Sequence, residues 1–131
     1  MIPSSRNTKV EYGDFQTPPE LAKRICQKLV EIGIKPDVII EPTCGIGAFV
    51  EASAFLFPDA QRIIGIEFNS SYLAYLENKV KYLPNSSRVE VKHGDFFKYD
   101  WGGMLKSLQG VVLVIGNFPW VTNSQQGALG S

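Results

Sequence analysis

The stretch Val38-Ile39-Ile40-Glu41-Pro42-Thr43-Cys44-Gly45-Ile46-Gly47-Ala48 decides the fold of this chain. Val38, Ile39 and Ile40 are apolar and β-branched, which suits a short buried strand. The strand ends in a turn that holds Pro42, Gly45 and Gly47, and a helix begins around Ala48 and stops before Pro58. Counting from Gly45, position 50 is Val50, so the turn is not a full GxGxxG dinucleotide fingerprint. It reads either as a place where a ligand approaches the backbone or as a plain tight turn from strand to helix.

The same alternation extends outward on both sides. Upstream, residues 1–11 are polar and read as a loose arm. Thr17-Pro18-Pro19-Glu20 reads as a helix start, with Thr17 as N-cap, Pro18 at the first helical position and Glu20 completing a capping box. Leu21, Ile25, Leu29 and Ile32 follow at helical spacing, and Gly33 closes the helix. Downstream, Ile63-Ile64-Gly65-Ile66 reads as a second strand ending at Glu67. Leu73, Leu76, Val80 and Leu83 mark a helix that Pro84-Asn85 terminates. Val89 and Val91 belong to a third strand ending at Gly94-Asp95. A weaker helical segment near Met104–Leu108 leads into a strand at Val111–Ile115. This order predicts an α/β fold with right-handed crossovers and a mostly parallel sheet.

With 131 residues there is room for one domain, and 44% hydrophobic residues suit a globular one. Lys plus Arg and Asp plus Glu each number 13, so the basic excess usual for nucleic-acid binding is missing. The two cysteines, Cys26 and Cys44, are too few and too separated for a disulfide framework or a zinc site, and no metal is expected. No stretch is apolar enough to span a membrane, and the polar start is no signal peptide, so a cytoplasmic location is the default expectation.

The first three strands each end beside an acid: Glu41, Glu67 and Asp95. Parallel strands bring these ends to one edge, outside which α/β sheets bind ligands. A carboxylate at Glu67 can accept from both hydroxyls of a ribose, or it can simply begin the next helix. Phe68 beside it suits either an adenine face or the core, and Asp95-Phe96-Phe97 repeats the pattern of acid then aromatic. His93, the only histidine, reads as structural rather than as a general base. Cys44 has no evident activating base nearby. Asn117-Phe118-Pro119-Trp120 presents an amide, a proline-fixed backbone and a large aromatic at a strand's end, which is equipment for holding an exocyclic amine.

From about Tyr12 to Thr122 these motifs resemble the class I S-adenosylmethionine-dependent amino-methyltransferases. More narrowly, they resemble the N6-adenine DNA methyltransferases whose cofactor motifs precede the catalytic one. Gly13-Asp14-Phe15-Gln16-Thr17-Pro18 is similar to a segment touching the cofactor's methionine end, which implicates Phe15 and Thr17. Glu41-Pro42-Thr43-Cys44-Gly45-Ile46-Gly47-Ala48-Phe49 resembles the cofactor loop, implicating Glu41, Thr43, Cys44, Gly45 and Gly47. Glu67, with Phe68 beside it as a cofactor contact, matches the ribose acid, and Asp95-Phe96 the adenine-recognition position. Asn117, Phe118, Pro119 and Trp120 resemble the catalytic Asn/Asp-Pro-Pro-aromatic motif, with Phe118 where proline is usual.

The resemblance implies a Rossmann-like three-layer sandwich and the first four strands of a partial methyltransferase fold over residues 12–131. It also implies S-adenosyl-L-methionine as cofactor, with DNA met through regions absent from this chain and an unpaired sheet edge that invites self-association. The activity implied is methylation of adenine N6 in DNA as part of a longer enzyme. The alternatives are a cofactor-binding or interaction fragment inactive by itself, or an RNA enzyme. An apolar residue at Phe118 is similar to the ribosomal-RNA adenine dimethyltransferases, whereas Thr17-Pro18 favours the DNA family.

Overall fold

A computed structural model describes residues 16–118. In chain order these form α1 (Pro19–Glu31), β1 (Val38–Glu41), α2 (Ala48–Leu56), β2 (Arg62–Glu67) and α3 (Ser70–Val80). A 3-10 turn (Ser86–Arg88), β3 (Val89–His93), α4 (Trp101–Lys106) and β4 (Val112–Val114) follow. The strands make one sheet in the order β3-β2-β1-β4, and every pairing is parallel. Val38, Ile39 and Ile40 of β1 stand opposite Arg62, Ile63 and Ile64 on one side and Val112, Leu113 and Val114 on the other. The predicted α/β class and parallel sheet hold.

Side chains alternate across the strands, so the sheet has two buried faces. Ile39 and Ile63 pack with Ala22, Cys26, Val50, Leu76 and other residues of α1, α2 and α3. Val38, Ile40, Ile64 and Ile66 face Tyr99, Trp101, Met104 and Leu108 around α4. Helices therefore cover both faces, giving three layers. Ile39, Ile40, Ile63, Ile64 and Ile66 are almost wholly enclosed, and each contributes roughly 1.5–3 kcal/mol of burial.

Three local expectations need correction. Pro18, not Thr17, is the N-cap of α1, with φ −58° and ψ 137° and no side-chain cap bond. Because Pro18 precedes Pro19, its backbone is pushed out of the helical region, so the helix starts one residue later and the capping box is lost. The buried face of α1 is also shifted: Ala22 and Cys26 are enclosed, whereas Leu21, Ile25 and Ile32 are exposed. Small residues face inward because α1 lies close against α2, which also presents Ala48 and Ala52. Finally, α3 ends at Val80, and Leu83 is buried in a tightened turn where Leu83 N–H donates to the Val80 carbonyl. Gly33 does close α1, at φ +90°, in a Schellman arrangement with Gly33 N–H on Val30 and Ile34 N–H on Leu29.

Candidate functional site

The loop between β1 and α2 is held together from within. Cys44 N–H donates to the Ile66 carbonyl at 2.9 Å and Gly47 N–H to the Cys44 carbonyl at 2.7 Å. Ile46 N–H donates to Gln16 Oε1 at 3.1 Å, and Gly45 N–H to Glu67 Oε1 at 2.7 Å. Gly45 and Gly47 have φ +56° and +86°, a region that strongly favours glycine. A Cβ at Gly45 would overlap the Gln16 carboxamide, and one at Gly47 would overlap Leu76. The space these glycines leave is filled by the side chains of Gln16 and Leu76.

Glu41, which ends β1, and Cys44 of the following loop are both enclosed. The Cys44 thiol is buried near Gly65, and burial pushes its pKa far up, so it is neither a nucleophile nor a surface contact. Glu41 is 4% exposed, and its Oε1 accepts from Val50 N–H at 3.0 Å in the first turn of α2. Burial raises its pKa well above the ordinary carboxylate value, against the lowering effect of the Val50 and Phe49 N–H groups. Both residues shape the loop.

Glu67 is built differently. Its Oε1 accepts from Gly45 N–H and its Oε2 from Asn69 N–H at 2.8 Å, so two strand-end loops fix the carboxylate plane. Phe68 is 64% exposed and stacks on His93 with ring centroids 6.0 Å apart. His93 Nε2 lies 2.9 Å from the Phe68 carbonyl, which can only accept, so the histidine donates there and is structural. Asp95 Oδ1 accepts from Phe97 N–H at 3.0 Å in a local turn, and half-buried Phe96 lies 6.0 Å from Phe118.

The same edge receives the end of β4. Thr43 Oγ donates to the main-chain carbonyl of Asn117 at 2.9 Å, so the loop after β1 touches the motif after β4. The sequence-predicted residues Thr43, Gly45, Glu67, Phe68, Asp95, Phe96, Asn117 and Phe118 all lie at the sheet's carboxyl edge. Phe15, Pro119 and Trp120 lie outside the described residues, as does the 1–11 arm. Thr17 is placed at the approach to α1. Sequence reasoning missed Gln16, Lys79 and Arg88. Lys79 pairs with Glu51 at 2.9 Å and reaches the Ile46 carbonyl at 3.4 Å, which ties α3 to α2 and to the loop. Nothing in the pattern of apolar residues signals these polar links, because each partner is distant in sequence.

Over 129 residues the chain is 50% identical to the Type II methyltransferase M.NspV of Nostoc sp., a span covering 98% of this chain and 27% of that protein. Among solved structures, a proposed RNA methyltransferase of Pyrococcus horikoshii superposes with TM-score 0.65 at 19% identity, covering 88% of this chain and 54% of that one. The methyltransferase subunit of a Streptococcus thermophilus type I restriction-modification system gives TM-score 0.61 at 19% identity, covering 81% and 23%. This is a Rossmann-like methyltransferase fold. A Salinibacter ruber RNA methyltransferase with bound S-adenosyl-L-homocysteine shares it, with TM-score 0.51 at 24% identity over 66% of this chain and 54% of that one. No family model matches the chain. The methyltransferase-fold domain spans about a quarter of the length of its curated relative, and among the described residues no helix is long and apolar enough to cross a membrane.

Proposed function

We propose that this domain binds S-adenosylmethionine and, as part of a longer enzyme, directs methyl transfer to the N6 amine of adenine in DNA. The observation that carries the reading is one chain of contacts at the sheet edge. Glu67 accepts from Gly45 N–H, and Thr43 of the same loop donates to the carbonyl of Asn117. A carboxylate suited to a ribose and an amide suited to an amine are thereby held on a common loop. Sequence identity to a Type II methyltransferase and the cofactor product bound by a structural neighbour support the same reading.

When bound, the cofactor supplies an electrophilic methyl on a sulfonium. The residues of this chain then have separable tasks. Glu67 orients the ribose, while Phe68 and the Asp95-Phe96 pair flank the adenine ring. Asn117 Oδ1 and the Phe118 carbonyl accept from the target amine and draw its lone pair out of the adenine ring toward the methyl. The amine nitrogen would attack the cofactor's methyl, the C–S electrons would return to sulfur, and the surplus proton of the methylated amine would leave to water. No base is needed at the outset, and orientation of well-placed partners supplies roughly 7–11 kcal/mol in favourable cases. A duplex adenine must first leave the stack.

A second reading, an RNA adenine enzyme, is favoured by Phe118, whose ring packs beside Phe96 at the acceptor motif. Calorimetric titration of S-adenosylmethionine, followed by tritiated methyl transfer to adenine-containing DNA and RNA strands, tests both readings. Glu67→Ala should weaken cofactor binding at least tenfold, since bonds to a charged acceptor are worth about 1.5–3 kcal/mol each. Asn117→Ala should spare binding and abolish transfer. Equal loss of affinity in both variants overturns this division of roles. Binding without turnover points to the fragment, and RNA preference to the second reading.

A further inference from the structure

We infer that Thr43 is a positioning residue for the acceptor motif, its hydroxyl holding the Asn117 carbonyl and so aiming the Asn117 side chain and the Phe118 carbonyl. This role rests on the methyl-transfer reading and reassigns a residue that the loop resemblance places with the cofactor.

The pairing of β4 with β1 is interrupted just past the strand ends. The last ladder bond between β4 and β1 runs from Ile115 N–H to the Ile40 carbonyl at 2.9 Å. In a parallel ladder the next donor from β1 would be residue 42, aimed at the carbonyl of residue 115. That residue is Pro42, which has no N–H. The donor after it would be Cys44, aimed at Asn117, but Cys44 N–H is turned to Ile66 on β2. Main-chain pairing beyond Ile115 therefore lacks two donors from β1. Thr43 Oγ takes over, donating to the carbonyl of Asn117 across 74 residues of sequence.

The segment passes close by at this point. A Cβ on Gly116 would lie 3.3 Å from Glu41 Cγ and 3.7 Å from Pro42 Cδ. Carbonyl and following N–H share one rigid plane, so fixing the Asn117 carbonyl fixes the whole 117–118 peptide unit. The Asn117 side chain leaves that plane at one end, and the Phe118 residue leaves it at the other. A single hydroxyl thus restrains the peptide unit from whose two ends both accepting groups depart. The loop carrying this hydroxyl also carries the Gly45 N–H that fixes Glu67, so methyl donor and methyl acceptor are referenced to the same few residues.

Thr43→Val removes the hydroxyl and keeps the branched shape, whereas Thr43→Ser keeps the hydroxyl. With the full chain, three quantities are measured: S-adenosylmethionine affinity, the carbonyl carbon resonance of Asn117, and tritiated methyl transfer to adenine-containing DNA. Thr43→Val should hold affinity within about twofold of wild type and move the carbonyl resonance. It should lower transfer, toward the roughly hundredfold loss that small misplacements cause. Thr43→Ser should restore the resonance and the transfer. A Thr43→Val loss of affinity as large as that of Glu67→Ala overturns the proposal by making Thr43 a cofactor ligand. An unmoved resonance, or failure of serine to rescue it, also overturns it. Where wild type binds without turnover, the resonance and the affinity decide. Absence of cofactor binding in wild type and both variants alike sinks the methyl-transfer reading instead, a pattern distinct from either result.

Discussion

Arg88 is 7% exposed and closes four contacts to main-chain carbonyls at the far end of α2. Nη1 donates to Phe57 at 2.8 Å, Ala60 at 2.7 Å and, more weakly, Pro58 at 3.3 Å, while Nη2 donates to Ala54 at 2.8 Å. These are carbonyls of the helix end and the turn after it, and that of Phe57 also accepts from Ala60 N–H at 3.2 Å. Desolvation lowers the arginine's pKa, and Asp59 works in the opposite direction, but a guanidinium stays charged throughout the ordinary pH range. Bonds from a charged donor are worth about 1.5–3 kcal/mol each before the cost of burying the charge is set against them. Counting only the three short bonds, at a net of about 1 kcal/mol each, Arg88→Met should cost about 3 kcal/mol. For a domain of this size that is roughly 10 °C in melting temperature. Urea unfolding followed by circular dichroism measures it as a lower midpoint with an unchanged slope. Arg62→Met is the comparison, because Arg62 makes a bidentate pair with Glu90 (2.7 and 2.8 Å) on a side chain 39% exposed. Such surface pairs contribute about 1 kcal/mol or less. If Arg88→Met costs no more than Arg62→Met, or if Arg88→Lys matches wild type, the carbonyl clamp is not what holds this corner.

Two further predictions concern Glu41 and Gly47. A carboxyl whose folded pKa lies above its unfolded value of about 4.3 binds more protons in the folded state. Glu41 should therefore make stability fall as pH rises through that interval. Glu90, which Arg62 holds low, acts in the opposite sense and only below its ordinary range, while burial moves the Cys26 thiol up to about 11, outside the window. Between about pH 5 and 8, urea midpoints of wild type should thus decline and those of Glu41→Gln should not; an unchanged slope in the variant refutes the assignment. Gly33→Ala and Gly47→Ala separate strain from overlap, since φ is +90° and +86° but only Gly47 faces a neighbour, Leu76. Thermal melts should show about 1–2 kcal/mol lost at Gly33 from the left-handed backbone, and a further 1–3 kcal/mol at Gly47 from overpacking. Equal losses would mean that Leu76 yields freely.

The framework was legible because β-branched runs and helical spacings are local. Val38–Glu41, Arg62–Glu67 and Val89–His93 fall where Val38-Ile39-Ile40, Ile63–Ile66 and Val89/Val91 place them. The start of α4 was not legible, because Gly102 and Gly103 interrupt any periodicity; the Asp100 Oδ1 bond to Gly103 N–H sets it instead. The inward face of α1 was misread for a related reason. Hydrophobicity alone selects Leu21 and Ile25, but close packing of two helices selects Ala22 and Cys26. At the site, residue types and positions were legible, while directions were not. Glu41 and Cys44 sit where the motif puts them and point inward, because the sheet's last enclosed layer extends into the turn.

These directions make physical sense together once α2 is treated as the element that carries the loop. A helix has partial positive charge at its start and partial negative charge at its end. At the start, Glu41 accepts from Val50 N–H; at the end, Arg88 donates to Ala54 and Phe57. The helix is only nine residues long, too short to be stable by its own hydrogen bonds, so contacts at its two ends carry much of its placement. The ends differ in kind. Arg88 keeps its charge, whereas Glu41 exchanges a proton, yet a neutral carboxyl still accepts through one oxygen. Protonation therefore leaves the Val50 bond available and takes away only an unfavourable buried charge. Burial at this position thus favours the form of Glu41 that still holds the loop's helix through the Val50 bond while carrying less charge at the sheet edge.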